Sequence, residues 1–475
     1  MRTVKEKNKK PLVTVYIVSH NYGRFLAKAI ESVLNQSFKD WELLIYDDGS
    51  EDDTAEVAER YTHYPNVSFF QPGKQGLIRT ANQAIEQARG AYVMRLDADD
   101  YLDENALLIM IQEFKRNPKV ALVFSDYFII NEDNVILEHI RQSLVAEEAP
   151  VPDLPAHGAC SLIKRSILLD INKYDPSLTC QDGYDLWLKL VGEYKVKNVN
   201  LPLFYYRRHG QNLTGQEHRI LTARQRIKER FVKENLKPEE LPEVLAIIPT
   251  HGTKANPLTS PLRDLAARKL IDYTLEAVSQ AELVSRSVVL SEDDETLAYV
   301  SKGWTCETLK RPQALRGLAC HIEESVLWVL KELRAKENYR PDLVLLLYIH
   351  APLRKASHID EAIYSQIIFK TDSVVSVTQN TKFLYHHGKS GMIPLYEKRF
   401  LRHEKDILYE ENAAIELSQT RAVTKESFLG KTIGHILMAA SDSVTITGEF
   451  EFWLCEQILK QRTIQAMETT STLTG

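Results

Sequence analysis

Three carboxylates close the segment YVMRLDADDYL, residues 92–102: Asp97, Asp99 and Asp100. An apolar, β-rich run ending in adjacent acids gathers like charge at its own tip, which is unfavourable unless something positive offsets it. Asp97 and Asp99 form a D-x-D, from which two carboxylates on one loop can reach a divalent cation and a ribose hydroxyl. Mg²⁺ and Mn²⁺ prefer oxygen ligands and commonly leave the remaining positions to substrate phosphates. A cation held in this way neutralises charge that develops on a departing diphosphate. The triplet alone is also common in turns, so its setting has to decide.

The elements around it are those of an α/β protein. From residue 12, LVTVYIVSHN reads as a buried strand, GRFLAKAIESVLNQS as an amphipathic helix, and WELLIYDDGS as a second strand ending in acids. EDDTAEVAERYTHY follows as a helix with Asp53 at its N-cap, then VSFFQP as a strand, LIRTANQAIEQARG as a helix, and AYVMRLDADD as the fourth strand. Such alternation implies a parallel sheet covered by helices, whose ligands lie outside the carboxyl ends of the strands. Ser19-His20-Asn21, Asp47-Asp48 and Asp97-Ala98-Asp99 should therefore gather along one edge.

Five stretches together resemble the family 2 glycosyltransferases of the GT-A fold. They are VYIVSHNYGRFLAKAIESVLNQSFKDWELLIYDDGSEDDT, GLIRTANQAIEQARGAYVMRLDADDYL, HGACSLIKRSIL (157–168), CQDGYDLWLKL (180–190) and LFYYRRHGQNLT (203–214). The resemblance covers roughly residues 11–215. It implies that Ser19, His20, Asn21 and Tyr22 line a nucleotide pocket and that Asp47 and Asp48 hold base and ribose. Arg79 would approach the nucleotide, although the family often has its arginine two residues later, where this chain has Ala81. Asp97 would face the nucleotide sugar and Asp99 the metal, with His209 near the diphosphate or the metal. Asp100 would cap the following helix. An acceptor hydroxyl needs a general base, which the family draws from an acidic motif before YDLWL. Here Asp182 is the first choice and Asp185 the second, with helix capping the alternative for Asp182 and a structural role for Asp185. Arg207 and Arg208 either pair with diphosphate oxygens or are exposed. The implied reaction is an inverting displacement from a nucleoside-diphosphate sugar, a UDP-sugar foremost.

After residue 215, QEHRILTARQRIKERFVKENLKPEELPE is charged and helical, and breaks at Pro238 and Pro242. It reads as a connector over 216–243, with a solvated helix packed on its own domain, or one lying on a membrane surface, as alternatives. The β/α rhythm then restarts. LAIIPTHGTK, LIDYTLEAV, VVLSEDDETLAYV, PDLVLLLYIHAPLRKASHIDEAI, TDSVVSVTQ, YEENAAIELSQ and DSVTITGEFEFWLCEQIL resemble the acylneuraminate cytidylyltransferases. The family's Arg-Gly-Gly-Ser-Lys-Gly nucleotide loop is reduced here to His251-Gly252-Thr253-Lys254-Ala255. Its metal-binding Asp-Ile-Asp is Thr445-Ile446-Thr447, and a hydroxyl is a poor substitute for a carboxylate on Mg²⁺. Gly252, Thr253 and Lys254 remain the candidates for whatever nucleotide contact survives.

The fold expected is thus α/β with two Rossmann-like nucleotide-binding domains, a GT-A glycosyltransferase followed by a cytidylyltransferase-like domain. The boundaries are a basic tail over 1–10, domains over 11–215 and 244–465, and a flexible tail over 466–475. A net charge of −6 gives no reason to expect nucleic acid as a partner. MRTVKEKNKK has no apolar core of a signal peptide, and no apolar run is long enough to span a bilayer. Five scattered cysteines without a CxxC pair indicate reduced thiols in a cytoplasm. The expected partners are a nucleotide-sugar donor and a glycan, lipid-linked or protein acceptor, with Mn²⁺ or Mg²⁺ as cofactor. The resemblance of the second half implies a homodimer, and any membrane association would be peripheral, at the inner face. Two other readings stand beside this one. In the first, the second domain activates a nonulosonic acid with CTP, making the enzyme bifunctional. In the second, both halves only bind nucleotides.

Overall fold

The computed structural model of the chain describes residues 10–142, 153, 155–210, 217–251, 257–316, 320–380, 382–389, 391–395 and 408–473. The chain forms two compact units, residues 1–216 with 385–406, and 217–384 with 407–475. Among the described residues, the strands Tyr385–Gly388 and Gly391–Pro394 pair antiparallel with each other.

The first unit opens as β1 (Val13–Ser19), α1 (Gly23–Leu34), β2 (Trp41–Asp47), α2 (Thr54–Glu59), β3 (Val67–Phe70), α3 (Leu77–Gln87) and β4 (Tyr92–Asp97). β3, β2, β1 and β4 are parallel neighbours, as the alternation predicts. The rest of the sheet is mixed rather than all-parallel. It adds β5 (Tyr101–Leu102), α4 (Ala106–Arg116), β6 (Val120–Ile130), β7 (Ile136–Ile140), β8 (Leu162–Lys164), α5 (Arg165–Asp170), α6 (Asp182–Val191) and β9 (Lys195–Arg207). β8 runs antiparallel between β4 and β6, and β9 pairs parallel with β6 and antiparallel with β5. The strand faces are closed by an apolar core including Val15, Ile17, Leu43, Ile45, Met94 and Leu96 on the sheet and Leu26, Ile30 and Val33 on α1.

In the second unit the strands Glu307–Lys310, Arg286–Ser291, Val244–Pro249, Leu343–Leu346, Leu408–Gln419, Ser373–Asn380 and Ile433–Leu437 form one sheet in that order. The stretch DLAARKLIDYTLEAV is a tight hairpin before it is a helix. Ala266 and Ala267 both take positive φ, and the helix begins only at Leu270. The charged stretch after residue 215 forms the helix Glu217–Asn235, grouped with this unit, where it packs on the helix Ala356–Phe369. The last helix, Glu449–Leu473, runs through most of the residues expected to be a tail, because neither Gly nor Pro interrupts the chain before Gly475. Among the described residues no helix is long and apolar enough to cross a membrane. All five cysteines are free.

Candidate active site

Strand register puts the polar tips level. Ser19 lies opposite Asp47, and Val18 opposite Asp97, so β1, β2 and β4 deliver their last residues to the same edge. The turns beyond them are laced together by hydrogen bonds. The Asn21 N–H donates to Ser50 Oγ, the Glu51 N–H to Asn21 Oδ1, and the Asp48 N–H to the Ser19 carbonyl. Asn21 sits at φ 61°, a left-handed position that asparagine tolerates well. Ser19 Oγ and His20 Nδ1 are buried there without a partner among the described residues.

Asp47 and Asp48 are both buried, and much of their hydrogen-bonding capacity is used locally. Asp47 Oδ1 accepts from the Ser50 N–H. Asp48 accepts from the Gln75 and Gly76 N–H groups and from Thr80 Oγ1, clamping the loop before α3. Gly76, at φ 90°, makes the turn that brings its N–H to Asp48. Arg79, two residues into α3 from its start, is exposed, while Thr80 beside it faces Asp48.

The three acids after β4 have three separate environments. Asp97 pairs with Arg95 at 2.6 Å. Asp99 faces His209, whose Nε2 lies 2.9 Å from Oδ2. Burial and the charge of Asp97 push the Asp99 carboxyl above the ordinary range, against the pull of the His209 hydrogen bond. Asp100 does not cap a helix, since β5 intervenes and α4 begins after Asn105. It is buried beneath β9 instead, where Oδ1 accepts from the Arg207 N–H and Oδ2 has no partner among the described residues. Burial, then the charges of Asp99 and Asp97, drive its carboxyl well upward.

Arg207 is neither exposed nor free to grip a diphosphate. Only 2% exposed, it donates to the carbonyls of Asp99, Asn131 and Glu132 and to Asn134 Oδ1, and its guanidinium lies over the Phe25 ring. It buttresses the D-x-D loop from below. Arg208 is exposed, 3.8 Å from Glu138. His209 is enclosed by Tyr22 and Phe25. Burial, reinforced by the charges of Asp99 and Asp97, raises the Tyr22 phenol to about 12.

Asp182 opens α6, but the N-cap position belongs to Gln181 at φ 62°, so capping does not account for the acid. Its Oδ2 instead pairs with Arg95 at 2.6 Å. Asp185, one turn on, is buried and paired with Lys189 at 2.7 Å. The structure therefore joins Asp97 with Asp182 and Asp99 with His209, while Asp185 turns to its own helix. Arg95 and Thr80 are the participants that sequence reasoning missed, and Arg207 was named but for a different role. The only sequence signal for Arg95 was a charged residue two positions before Asp97, hence on the same face of the strand.

The acids fit a cation. Two buried carboxyls are raised by burial and by crowding with each other and Asp97, and one carboxylate oxygen has no partner among the described residues. Among the described residues, however, no three acidic, histidine or cysteine side chains converge as a ready-made cage. At the second unit's strand ends, Gly252, Thr253 and Lys254 lie outside the described residues. Thr445 Oγ1 is spent on the Asn412 carbonyl. His350 is pushed down to about 4 by burial and then by Arg354.

The sequence pattern of Glycosyl transferase family 2 matches residues 14–171. The chain is 30% identical over 204 residues to a chondroitin synthase of Escherichia coli, and 28% identical over 208 residues to a hyaluronan synthase of Pasteurella multocida. These matches take in 42% and 43% of this chain but only 30% and 21% of those proteins, so it spans less than a third of either. An uncharacterized glycosyltransferase of Methanocaldococcus jannaschii is 30% identical over 206 residues, 42% of this chain and 71% of its own length. With that match and the family pattern lying over the D-x-D edge, the chain belongs to glycosyl transferase family 2 and is a glycosyltransferase.

Proposed function

We propose that the first unit transfers a sugar, with inversion, from a nucleoside-diphosphate sugar to a hydroxyl of a glycan, lipid-linked or protein acceptor. UDP-sugars are the first choice of donor, and surface polysaccharide assembly is the setting suggested by the names of the synthases it is similar to. One observation carries this reading: Asp97 and Asp182, from strand and helix far apart in the sequence, meet on Arg95, beside the Asp99–His209 pair.

In this reading Asp182 removes the acceptor's proton, Asp97 orients the donor, and the Ser19–Tyr22 and Asp47–Asp48 turns hold the nucleotide. Asp99 and His209 are the side chains that would hold Mn²⁺ or Mg²⁺. Such an ion supplies positive charge against the leaving diphosphate. Arg207 keeps the Asp99 backbone in place, and burial of His209 restricts water on that side. Asp185 stays a structural partner of Lys189, and Arg79 approaches the nucleotide only if its exposed side chain turns inward.

The second unit supports a cytidylyltransferase-like scaffold that is catalytically silent and serves dimerisation or ligand binding, since Thr445 is engaged with backbone where a metal carboxylate would be needed. The test of the whole reading is nucleotide release from UDP-, GDP-, dTDP- and CMP-sugars with Mn²⁺. Asp99→Ala and Asp182→Asn should each lower turnover about 100-fold or more, Asp182→Asn without loss of Mn²⁺–UDP binding. Full turnover in both variants would refute the assigned roles.

A further inference from the structure

Arg95 lies inside a sheet, where an arginine needs a reason. On β4 it is opposite Tyr16 of β1, and its side chain is only 10% exposed. Taking a guanidinium out of water costs several kcal/mol unless it is paired and hydrogen-bonded. Here the compensation comes from two acids of different origin: Nε donates to Asp97 Oδ1 and Nη1 to Asp182 Oδ2, each at 2.6 Å. Burial alone would ease off its proton, but Asp97 and Asp182 outweigh burial and keep it charged.

The start of α6 is restrained a second time. Cys160 N–H donates to the Arg95 carbonyl at 2.8 Å, and Gly158 in the same segment faces Gly183. A Cβ on Gly183 would stand 3.2 Å from the Gly158 Cα, closer than a side chain normally sits to backbone. The helix turn that carries Asp182 is thus set against the strand that carries Arg95 by both backbone and side chain.

We infer that Arg95 is a positioning residue for sugar transfer, whose single guanidinium fixes the proton-accepting Asp182 relative to the donor-side Asp97. This rests on the reading of Asp182 as the base. The planar fork can serve two carboxylates at once, which a lysine ammonium does less well. Without it, Asp182 is free to swing, and a displacement of about 1 Å costs a reaction roughly 100-fold.

The test uses the full chain, Mn²⁺ and whichever donor of the four nucleotide classes the wild type turns over fastest. Arg95→Gln should lower kcat about 100-fold and change the donor KM far less, and Arg95→Lys should recover part of the loss. Because Arg95 acts through Asp182, Arg95→Gln combined with Asp182→Asn should be no slower than Asp182→Asn alone. Wild-type kcat in Arg95→Gln, or losses that multiply in the double variant, would overturn the inference while leaving Asp182 as base. Wild-type turnover in Asp182→Asn, or none by the wild type with any donor, would overturn both. If Arg95→Gln fails to fold, the same cycle with Arg95→Lys decides between these outcomes.

Discussion

His209 Nε2 stands 2.9 Å from Asp99 Oδ2, although 110 positions separate the two residues. The imidazole is held by Tyr22 and Phe25, so it cannot move aside without opening the aromatic packing. It therefore holds the Asp99 carboxylate from one side, while Arg207 holds its backbone carbonyl from another.

Replacing His209 should consequently weaken cation binding even if the imidazole never touches the ion. His209→Ala is expected to reduce Mn²⁺ affinity in the presence of UDP by about 10–100-fold, the usual cost of losing a ligand's orienting partner. Calorimetric titration of Mn²⁺ into the UDP-loaded protein measures it. An unchanged affinity would mean that Asp99 is oriented by something else.

Asp48 poses a different test, because its carboxylate is already engaged with the protein. Two backbone N–H groups and Thr80 depend on it. In Asp48→Asn the amide oxygen can keep the place of Oδ1, which accepts from all three. The amide NH2 then replaces Oδ2 and faces the Gly76 N–H donor to donor, and a donor left unsatisfied costs about 1–3 kcal/mol. Thermal unfolding should show a lowered midpoint without any nucleotide present. A variant that melts like the wild type but loses nucleotide binding would make Asp48 a ligand contact alone.

The sequence made the strand tips legible for a physical reason. Parallel strands buried on both faces read as mostly apolar runs, so LVTVYIV, WELLIY and YVMRL stand out despite Glu42 and Arg95, and the polar residues after them must share an edge. The mixed half of the sheet was not legible, because β8 pairs with β4 and β6 across long loops that leave no local pattern. Asp100 and Arg207 misled for the same reason. A cap or an exposed arginine is the local expectation, and only the distant pairing of β9 with β6 buries Arg207 against Asp99 and Asn131. Arg95 was hidden by alternation itself, since a charged residue in a strand usually marks a solvated face. Its acids are supplied by Asp97 nearby and by Asp182, 87 positions away.

A pH test addresses the second unit. Glu416, on the strand Leu408–Gln419 beside Leu346, is raised to about 7 by burial, with Glu411 and Glu323 adding to the effect. A carboxyl with its folded value above its unfolded one binds its proton more tightly in the folded state. Stability is therefore lost as pH rises from the unfolded value of 4.5 through about 7, and the penalty is constant above that. Glu416→Gln mimics the protonated form and removes the loss. Its melting temperature should exceed that of the wild type at pH 8 and approach it at pH 4.5. A constant difference between the two across this range would show that Glu416 does not titrate there.

The helix Glu217–Asn235 can be tested through its buried cation. Lys228 is 2% exposed, and its Nζ lies 3.0 Å from both Glu361 Oε1 and Ser365 Oγ on the helix Ala356–Phe369. A stretch that looks from its composition like a solvated linker thus sends a lysine into the second unit's interior. Lys228→Ala takes the ammonium from a buried carboxylate, which typically costs about 3–5 kcal/mol. Replacing both partners with methionine removes the charges together and should restore most of that loss, since a buried ion pair is often no better than apolar packing. Urea unfolding of the single and double variants makes the comparison. If the double variant is as unstable as Lys228→Ala, the helix is held by Lys228 packing rather than by the charge pair. If neither variant is destabilised, the helix is not an integral part of the second unit's fold.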